Sequence, residues 1–214
     1  MVLSNLTIAL SIGALISAAL ATWSQAASRR RLHVLTKPLT TGLIIAVAAV
    51  AAAPVPAAYK TLVLIGLAFS LLGDVALMFP EKWFTAGLIA FLAAQISYIL
   101  AFKPLPGHPV SPGTFLPFVL FGLLMFFLLA PKLGPMKVPV FVYIAAITTM
   151  AGFAAARYVD RGGTRPLLAF IGAVLFLVSD SVLAYDRFAR KVPAARIIIL
   201  GTYFPAQLLI ALSV

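Results

Sequence analysis

Two aspartates, Asp74 and Asp180, lie in stretches so apolar that each is predicted to sit within a lipid bilayer. The stretches 66–77 and 172–183 also resemble each other, since glycine, leucine and aspartate recur at one spacing (180 − 74 = 106). A carboxyl group is costly to bury in hydrocarbon and usually persists there only where function uses it. The matched pair therefore predicts a functional site inside the membrane.

Two carboxyl groups at such a site point to proton handling. Desolvation and mutual repulsion place a proton on one member of a close pair, which leaves an acid beside a base. Such a pair suits protonation of an acid-labile bond followed by attack of water. It equally suits proton-coupled transport, in which carboxylates take up and release protons. The residues alone leave both chemistries open.

Other kinds of site lack the residues that they need. The two histidines, His33 and His108, fall at or in gaps between apolar stretches, and the chain has no cysteine. Zinc sites and Ser-His-Asp triads need histidine or thiolate at the reacting centre. The sequence also has no glycine-rich phosphate loop. We therefore expect neither a metal nor a cofactor.

The composition is that of a membrane protein. Of 214 residues, 63% are hydrophobic and 10% are charged, and the mean hydropathy is +1.12. A soluble domain is about half apolar and about a quarter charged. The formal net charge is +11, but the basic residues fall in short gaps between apolar stretches. That distribution favours contact with membrane lipids over binding of nucleic acid.

The apolar stretches are long enough to be membrane spans, because a helix needs about 20 residues to cross a bilayer. About eight are present, at residues 3–23, 34–53, 60–79, 84–102, 114–130, 138–156, 165–183 and 195–213. Short gaps rich in proline, glycine and charge separate them and leave little room for a soluble domain. We predict an all-α fold, a polytopic transmembrane bundle in a single membrane domain, residues 1–214.

Four spans per half predict two parallel four-helix repeats, residues 1–106 and residues 107–214. Lys37 and Tyr143 share the spacing of the aspartates (143 − 37 = 106). Chance similarity between Leu- and Ala-rich helices is the alternative explanation. The repeat predicts that both carboxyl groups approach one axis at the same depth, in a cavity near the cytoplasmic leaflet.

Other polar residues of the spans are expected to reach the same cavity, namely Lys37, Tyr143, Gln95 and Gln207. Each also has a structural explanation. Lys37 alternatively snorkels to water from the end of its helix, and Tyr143 and Tyr203 belong to an interfacial aromatic belt. The glutamines alternatively hold helices together through hydrogen bonds. The aspartates alternatively serve only as buried partners of Lys37 or an arginine.

The distribution of Lys and Arg predicts the orientation. These residues are more frequent in the gaps after the odd-numbered spans than in the other gaps. The positive-inside rule then places both termini outside the cell (inner or plasma) membrane. The first stretch lacks a basic segment before it and is predicted to remain as a span rather than to be cleaved.

Segments 37–40, 69–74, 172–180 and 203–207 resemble the YhhN-type lysoplasmalogenase family of integral membrane proteins. The resemblance extends through nearly the whole chain. It implies hydrolysis of the vinyl-ether bond of a lysoplasmalogen, or of a related lyso-ether lipid, to a fatty aldehyde and a glycerophospho-headgroup. One aspartate would donate the proton and the other would orient water, with the two roles left unassigned because the pair titrates as a unit.

The resemblance also implies a set of site residues. Asp74 and Asp180 are the catalytic pair, and Lys37 with cytoplasmic basic residues holds the lipid phosphate. The substrate-binding residues are Lys37, Tyr143, Gln95, Gln207 and Tyr203. The partners are then a lyso-lipid substrate and the surrounding membrane lipids, and no feature indicates an oligomeric state.

A small proton-coupled transporter, or a protein that moves lipids, is the alternative function. Transporters built on broken helices favour glycine or proline breaks within matched spans. Most prolines of this chain are expected in gaps, with Pro205 as the main exception. That placement favours a rigid enzyme cavity.

Overall fold

The computed structural model describes residues 4–52, 55–104 and 111–214. Within these ranges the chain forms eight long α-helices and no strand. The helices are α1 (Asn5–Ala26), α2 (Arg30–Val50), α3 (Ala57–Leu77), α4 (Pro80–Phe102), α5 (Pro112–Leu129), α6 (Lys137–Arg161), α7 (Thr164–Ala184) and α8 (Ala195–Leu212). Two 3-10 turns (Ala130–Lys132 and Gly134–Met136) precede α6, and a π-helical segment (Tyr185–Ala189) follows α7.

The predicted fold class is confirmed. All eight helices are long and apolar enough to cross a membrane. Helices suit that environment because every backbone N–H and C=O away from their ends is paired within the segment. Large apolar side chains such as Leu124 and Phe127 of α5 are more than half exposed, as lipid-facing residues are expected to be. The chain is therefore a multi-pass membrane protein.

The helices follow the predicted spans in order, but some are longer. The second helix begins at Arg30 rather than at residue 34, and the sixth continues to Arg161 rather than ending at 156. Arginine has a long side chain that reaches water from an apolar helix, so the helix continues past the apolar stretch. Residues 3 and 53, at the ends of two predicted spans, and His108 lie outside the described residues.

The expectation that Pro205 is the main exception among the prolines needs correction, because two further prolines also lie inside helices. Pro38, Pro117 and Pro205 all lie inside helices, in α2, α5 and α8. A proline within a membrane helix is tolerated because neighbouring groups satisfy the carbonyl that it leaves unpaired. Proline placement therefore does not separate an enzyme from a transporter here.

The helices pack in sequential pairs, α1 with α2, α3 with α4, α5 with α6, and α7 with α8. Among the contacts that join the predicted halves, α4 packs on α6 and α8 packs on α2, which are equivalent pairs in the proposed repeat. A parallel repeat requires that α4 packs on α6 in the same way as α8 packs on α2. The division into two halves remains our proposal. The halves differ in one respect: α1 packs along α8, whereas α5 makes only marginal contact with α4.

Close packing of α7 on α8 depends on Gly172. A Cβ added there would lie 2.8 Å from the carbonyl oxygen of Ala206 and 3.1 Å from the backbone nitrogen of Ile210. Backbone atoms cannot turn aside as a flexible side chain can. The glycine thus sets how near the two helices come, as small residues do in membrane bundles.

We expect Gly172→Ala to destabilise the protein by about 1–3 kcal/mol, because the added methyl group overpacks the contact between α7 and α8. Gly201→Ala is the matched control, since no atom lies within 4 Å of a Cβ added at that exposed position of α8. Thermal unfolding in detergent measures both variants. Equal melting temperatures for the two would contradict this account of the packing.

Candidate active site

The first aspartate, Asp74 of α3, lies in a closed polar cluster. Its Oδ1 is 3.3 Å from Nζ of Lys37, which also donates to the Asp74 backbone carbonyl at 3.4 Å. Its Oδ2 accepts hydrogen bonds from the hydroxyls of Thr41, at 2.6 Å, and Tyr203, at 2.7 Å. The side chains of Lys37 and Asp74 are only 8% and 1% exposed. The cluster therefore holds α2, α3 and α8 together around a buried ion pair.

The second aspartate, Asp180 of α7, has different partners. Its Oδ2 accepts a hydrogen bond from the hydroxyl of Tyr143 in α6 and another, at 3.3 Å, from Nε2 of Gln95 in α4. No cation pairs with it among the described residues. The amide oxygen of Gln95 is buried beside it without a donor. This site therefore contains an amide oxygen that accepts no hydrogen bond and a carboxyl group that has no cation beside it.

The two clusters occupy corresponding helices. Lys37 of α2 meets Asp74 of α3, and Tyr143 of α6 meets Asp180 of α7. Each aspartate also receives a donor from the fourth helix of the other half, α8 or α4. The chemical difference is that lysine stands in one cluster where tyrosine stands in the other. One carboxyl group is consequently charge-paired and the other is not.

An apolar groove runs between α4, α5, α6 and α7, and Asp180 lies in its wall. Its polar lining residues are Tyr143, Thr148, Asp180 and Ser181, and the rest of the lining is apolar. The empty space, including the open mouth, is about 660 Å³. The groove exists because α5 stands away from α4. Asp74 does not line it.

Phe91 of α4 contacts the surroundings of both aspartates. Its ring packs on Gly73, where an added Cβ would lie 2.6 Å from it, and meets the Tyr203 ring edge-on at 5.8 Å. The same ring lines the groove that holds Asp180. This ring is therefore shared by the Asp74 cluster and by the groove that Asp180 lines, whereas Asp74 itself does not line the groove.

The other predicted site residues differ in their placement. Lys37 lies two turns inside α2 and is buried, so it does not snorkel from a helix end. Tyr143 and Tyr203 are buried donors to carboxyl groups rather than belt residues. Gln207 touches neither aspartate: it accepts from the hydroxyl of Tyr98 at 2.8 Å and donates to Ser70 at 2.9 Å.

Sequence reasoning missed three residues. Thr41 donates to Asp74, Tyr98 binds Gln207, and Phe91 packs on Tyr203 and lines the groove. Helical spacing gave a signal for two of them, because Thr41 follows Lys37 by four residues and Tyr98 follows Gln95 by three, positions that share a helix face. For Phe91 the sequence carried no polar signal.

In the part of the chain that the structure describes, no three His, Cys, Asp or Glu side chains group as metal ligands would. His33 lies near the start of α2, and its Nδ1 is within 3.1 Å of the Ala21 carbonyl oxygen.

These features define a class of protein: an eight-span membrane protein with two buried carboxyl sites, one of which opens to an apolar groove. Residues 32–214 match the YhhN family. The chain belongs to this family.

Several relatives are similar over most of the chain. Lysoplasmalogenase TMEM86B of Sus scrofa is 38% identical over 146 residues, which cover 68% of this chain and 59% of the relative. Lysoplasmalogenase TMEM86A of Bos taurus is 36% identical over 158 residues, 72% of this chain and 65% of the relative. The uncharacterized membrane protein YhhN of Escherichia coli O157:H7 is 29% identical over 181 residues, 83% of this chain and 84% of the relative. The matches thus span about three-fifths of the length of the two lysoplasmalogenases. No solved structure shows a significant match.

Proposed function

We propose that this protein hydrolyses the vinyl-ether bond of lysoplasmalogens, or of a closely related lyso-ether lipid. The observation that carries the proposal is the Asp180 carboxyl group in the wall of an apolar groove. Relatives named lysoplasmalogenase support the same reaction. A single hydrocarbon chain suits a groove with few polar groups, because its burial there removes apolar surface from water.

Asp180 is the proton donor in this proposal. It has no cation opposite it, and a neutral acid is far less costly to bury in an apolar wall than a carboxylate. Its proton goes to the vinyl carbon farther from the ether oxygen, and the double-bond electrons form the new C–H bond. Positive charge then develops on the other vinyl carbon and the ether oxygen, next to the carboxylate that remains.

Water completes the reaction. It adds to the carbon that bears the ether oxygen and returns a proton to the Asp180 carboxylate, which gives a hemiacetal. As the hemiacetal carbon forms its C=O bond, the bond to the glycerol oxygen breaks and the hydroxyl proton passes to that oxygen, which releases the fatty aldehyde and the glycerophospho-alcohol. In this proposal the amide oxygen of Gln95, which has no donor in the structure, accepts a hydrogen bond from that water.

The roles of the two aspartates differ in this scheme. Only Asp180 lines the groove, so it alone meets the substrate directly. Asp74 is a positioning residue, whose ion pair with Lys37 fixes the helices behind Phe91. The excess of basic residues in the gaps after the odd-numbered helices supports the proposal that both termini are outside the cell membrane.

Aldehyde release tests the function. The purified protein is incubated in detergent with a 1-alkenyl lysophospholipid and, separately, with its 1-alkyl and 1-acyl analogues. We expect aldehyde from the alkenyl lipid only, because only a vinyl ether is activated by protonation at carbon. Lack of conversion of every lipid, together with uptake into vesicles that depends on Asp180, would favour transport instead.

A further inference from the structure

The lipid phosphate needs a cation, and Lys37 does not supply it. Lys37 is buried and its ammonium group is held by the carboxyl and carbonyl oxygens of Asp74. It also lies in the closed cluster, away from the groove. A phosphate group carried by a lipid in the groove must therefore be bound by other residues.

Arg187, in the π-helical segment after α7, stands at the edge of the groove. Its guanidinium lies over the ring of Phe84, 4.8 Å from the centroid, and Phe84 lines the groove. The side chain is exposed, and no carboxylate or carbonyl of the described residues accepts from it. Contact with the ring leaves the N–H groups of the guanidinium for a ligand, and a guanidinium can donate two parallel hydrogen bonds to one phosphate.

Lys132 provides a second cation on the same edge. Its Nζ donates to the carbonyl oxygen of Ala189 at 2.7 Å, next to the groove residue Phe188. An ammonium group has three N–H donors, so two remain for a ligand. The nearby carboxylate of Asp186 is already bound by Lys191, at 3.0 Å, and by the Val192 N–H, at 2.9 Å.

The position of Arg187 relative to the reacting group suits a glycerophospholipid. Arg187 follows Asp180 by seven residues (187 − 180 = 7), at the end of the same helical run. Its guanidinium lies over Phe84, and Phe84 and Asp180 line one groove, so the phosphate subsite and the reacting carboxyl group face the same lipid. A lipid with its phosphate on Arg187 then places its ether group near Asp180 and its chain along the apolar wall.

We propose that Arg187 and Lys132 form the phosphate-binding subsite of the groove, and that they select a single-chain lipid that carries an anionic phosphate. The proposal rests on the proposed function for its choice of ligand. Binding is measured separately from hydrolysis, so failure of one leaves the other standing.

The test compares two lipids that cannot be hydrolysed, in mixed micelles of fixed composition. One is a 1-O-alkyl lysophosphatidylcholine and the other is the corresponding 1-O-alkylglycerol, which lacks phosphate. Affinities follow from the rise in melting temperature with ligand concentration. We expect wild-type protein to bind the phospholipid about tenfold more tightly than the alkylglycerol, since charge-assisted hydrogen bonds to phosphate are strong.

The variant Arg187→Gln/Lys132→Gln is expected to lose this preference and to keep its affinity for the alkylglycerol. Arg31→Gln removes one charge from an exposed position of α2 outside the groove lining and is expected to keep the preference. Equal affinity of the wild type for both lipids, or an unchanged preference in the double variant, would overturn the subsite. If inorganic phosphate alone raised the melting temperature as much as the phospholipid does, these residues would form a site for a free anion. The proposal that they bind a lipid would then be wrong.

Discussion

Replacement of Asp180 by Asn is expected to lower kcat/KM for vinyl-ether hydrolysis by about 10²–10⁴-fold, the usual contribution of a general acid. Asparagine has no proton to give to carbon. It nevertheless keeps the size of the side chain and an oxygen that accepts from Tyr143 and Gln95. Release of aldehyde from a 1-alkenyl lysophospholipid measures the activity, and thermal unfolding shows that the fold is retained.

The control for that experiment is Asp186→Asn. Asp186 undergoes the same chemical change only six residues further on (186 − 180 = 6), but it binds Lys191 and the Val192 N–H and does not line the groove. Its activity is expected to stay within about twofold of wild type, because the acid that meets the substrate is intact. An Asp180→Asn protein that keeps more than about a tenth of wild-type activity would sink the role of Asp180 as the proton donor.

Breaking the Lys37–Asp74 pair is expected to have the largest effect on stability. Either Lys37→Met or Asp74→Asn leaves one buried charge without its partner, which costs about 3–5 kcal/mol. The neutral double variant has no such charge, and the Asn oxygen still accepts from Thr41 and Tyr203. It is therefore expected to recover at least half of the loss. Reversible unfolding of the four proteins gives the coupling energy of the pair.

An exposed ion pair provides the comparison. Lys191 pairs with Asp186 at 3.0 Å, but its side chain is 82% exposed. Lys191→Gln is expected to change the free energy of unfolding by less than about 1 kcal/mol, because water already screens that pair. A double variant of Lys37 and Asp74 that is no more stable than the single variants would show that the pair does not hold α2 to α3.

The two proposed halves each contain an aspartate at a corresponding position, but the residues around the two aspartates differ. Lysine opposite Asp74 and tyrosine opposite Asp180 leave one carboxyl group paired and the other without a cation. Only Asp180 lines the groove. In the proposed reaction, Asp180 in the second half carries out the chemistry, and the Lys37–Asp74 pair in the first half holds the helices in position.

The spans and the polar residues of the candidate site were largely predictable from the sequence. Bilayer thickness fixes helix length, so apolar stretches of about 20 residues locate spans closely. The cost of burying charge singled out Asp74 and Asp180, and the repeat spacing associated Lys37 with Tyr143. The alternative that Lys37 snorkels to water was wrong, because α2 begins at Arg30 and Lys37 therefore lies within the helix and inside the protein.

The pairing of polar residues across the bundle was less predictable. Both glutamines occupy similar positions in their helices, yet Gln95 reaches Asp180 and Gln207 binds Tyr98 and Ser70. The difference arises because Tyr203, one turn earlier in α8, already fills the corresponding place at Asp74. Which donor reaches a carboxyl group depends on how helices from different halves rotate against each other, and helical periodicity does not specify that.

The sequence by itself determined that this chain spans a membrane and that two carboxyl groups lie within it, because the hydrophobic effect and the cost of buried charge act on each stretch separately. Only the tertiary structure decided that Asp180 opens to a groove while Asp74 is closed. The buried face of α1 carries small residues such as Ala14, Ser17 and Ala21, whereas α5 presents bulky ones such as Phe121 and Met125. Small side chains let helices approach closely in lipid, and large ones hold them apart. The helix that packs tightly closes one site, and the helix that stands away opens the other.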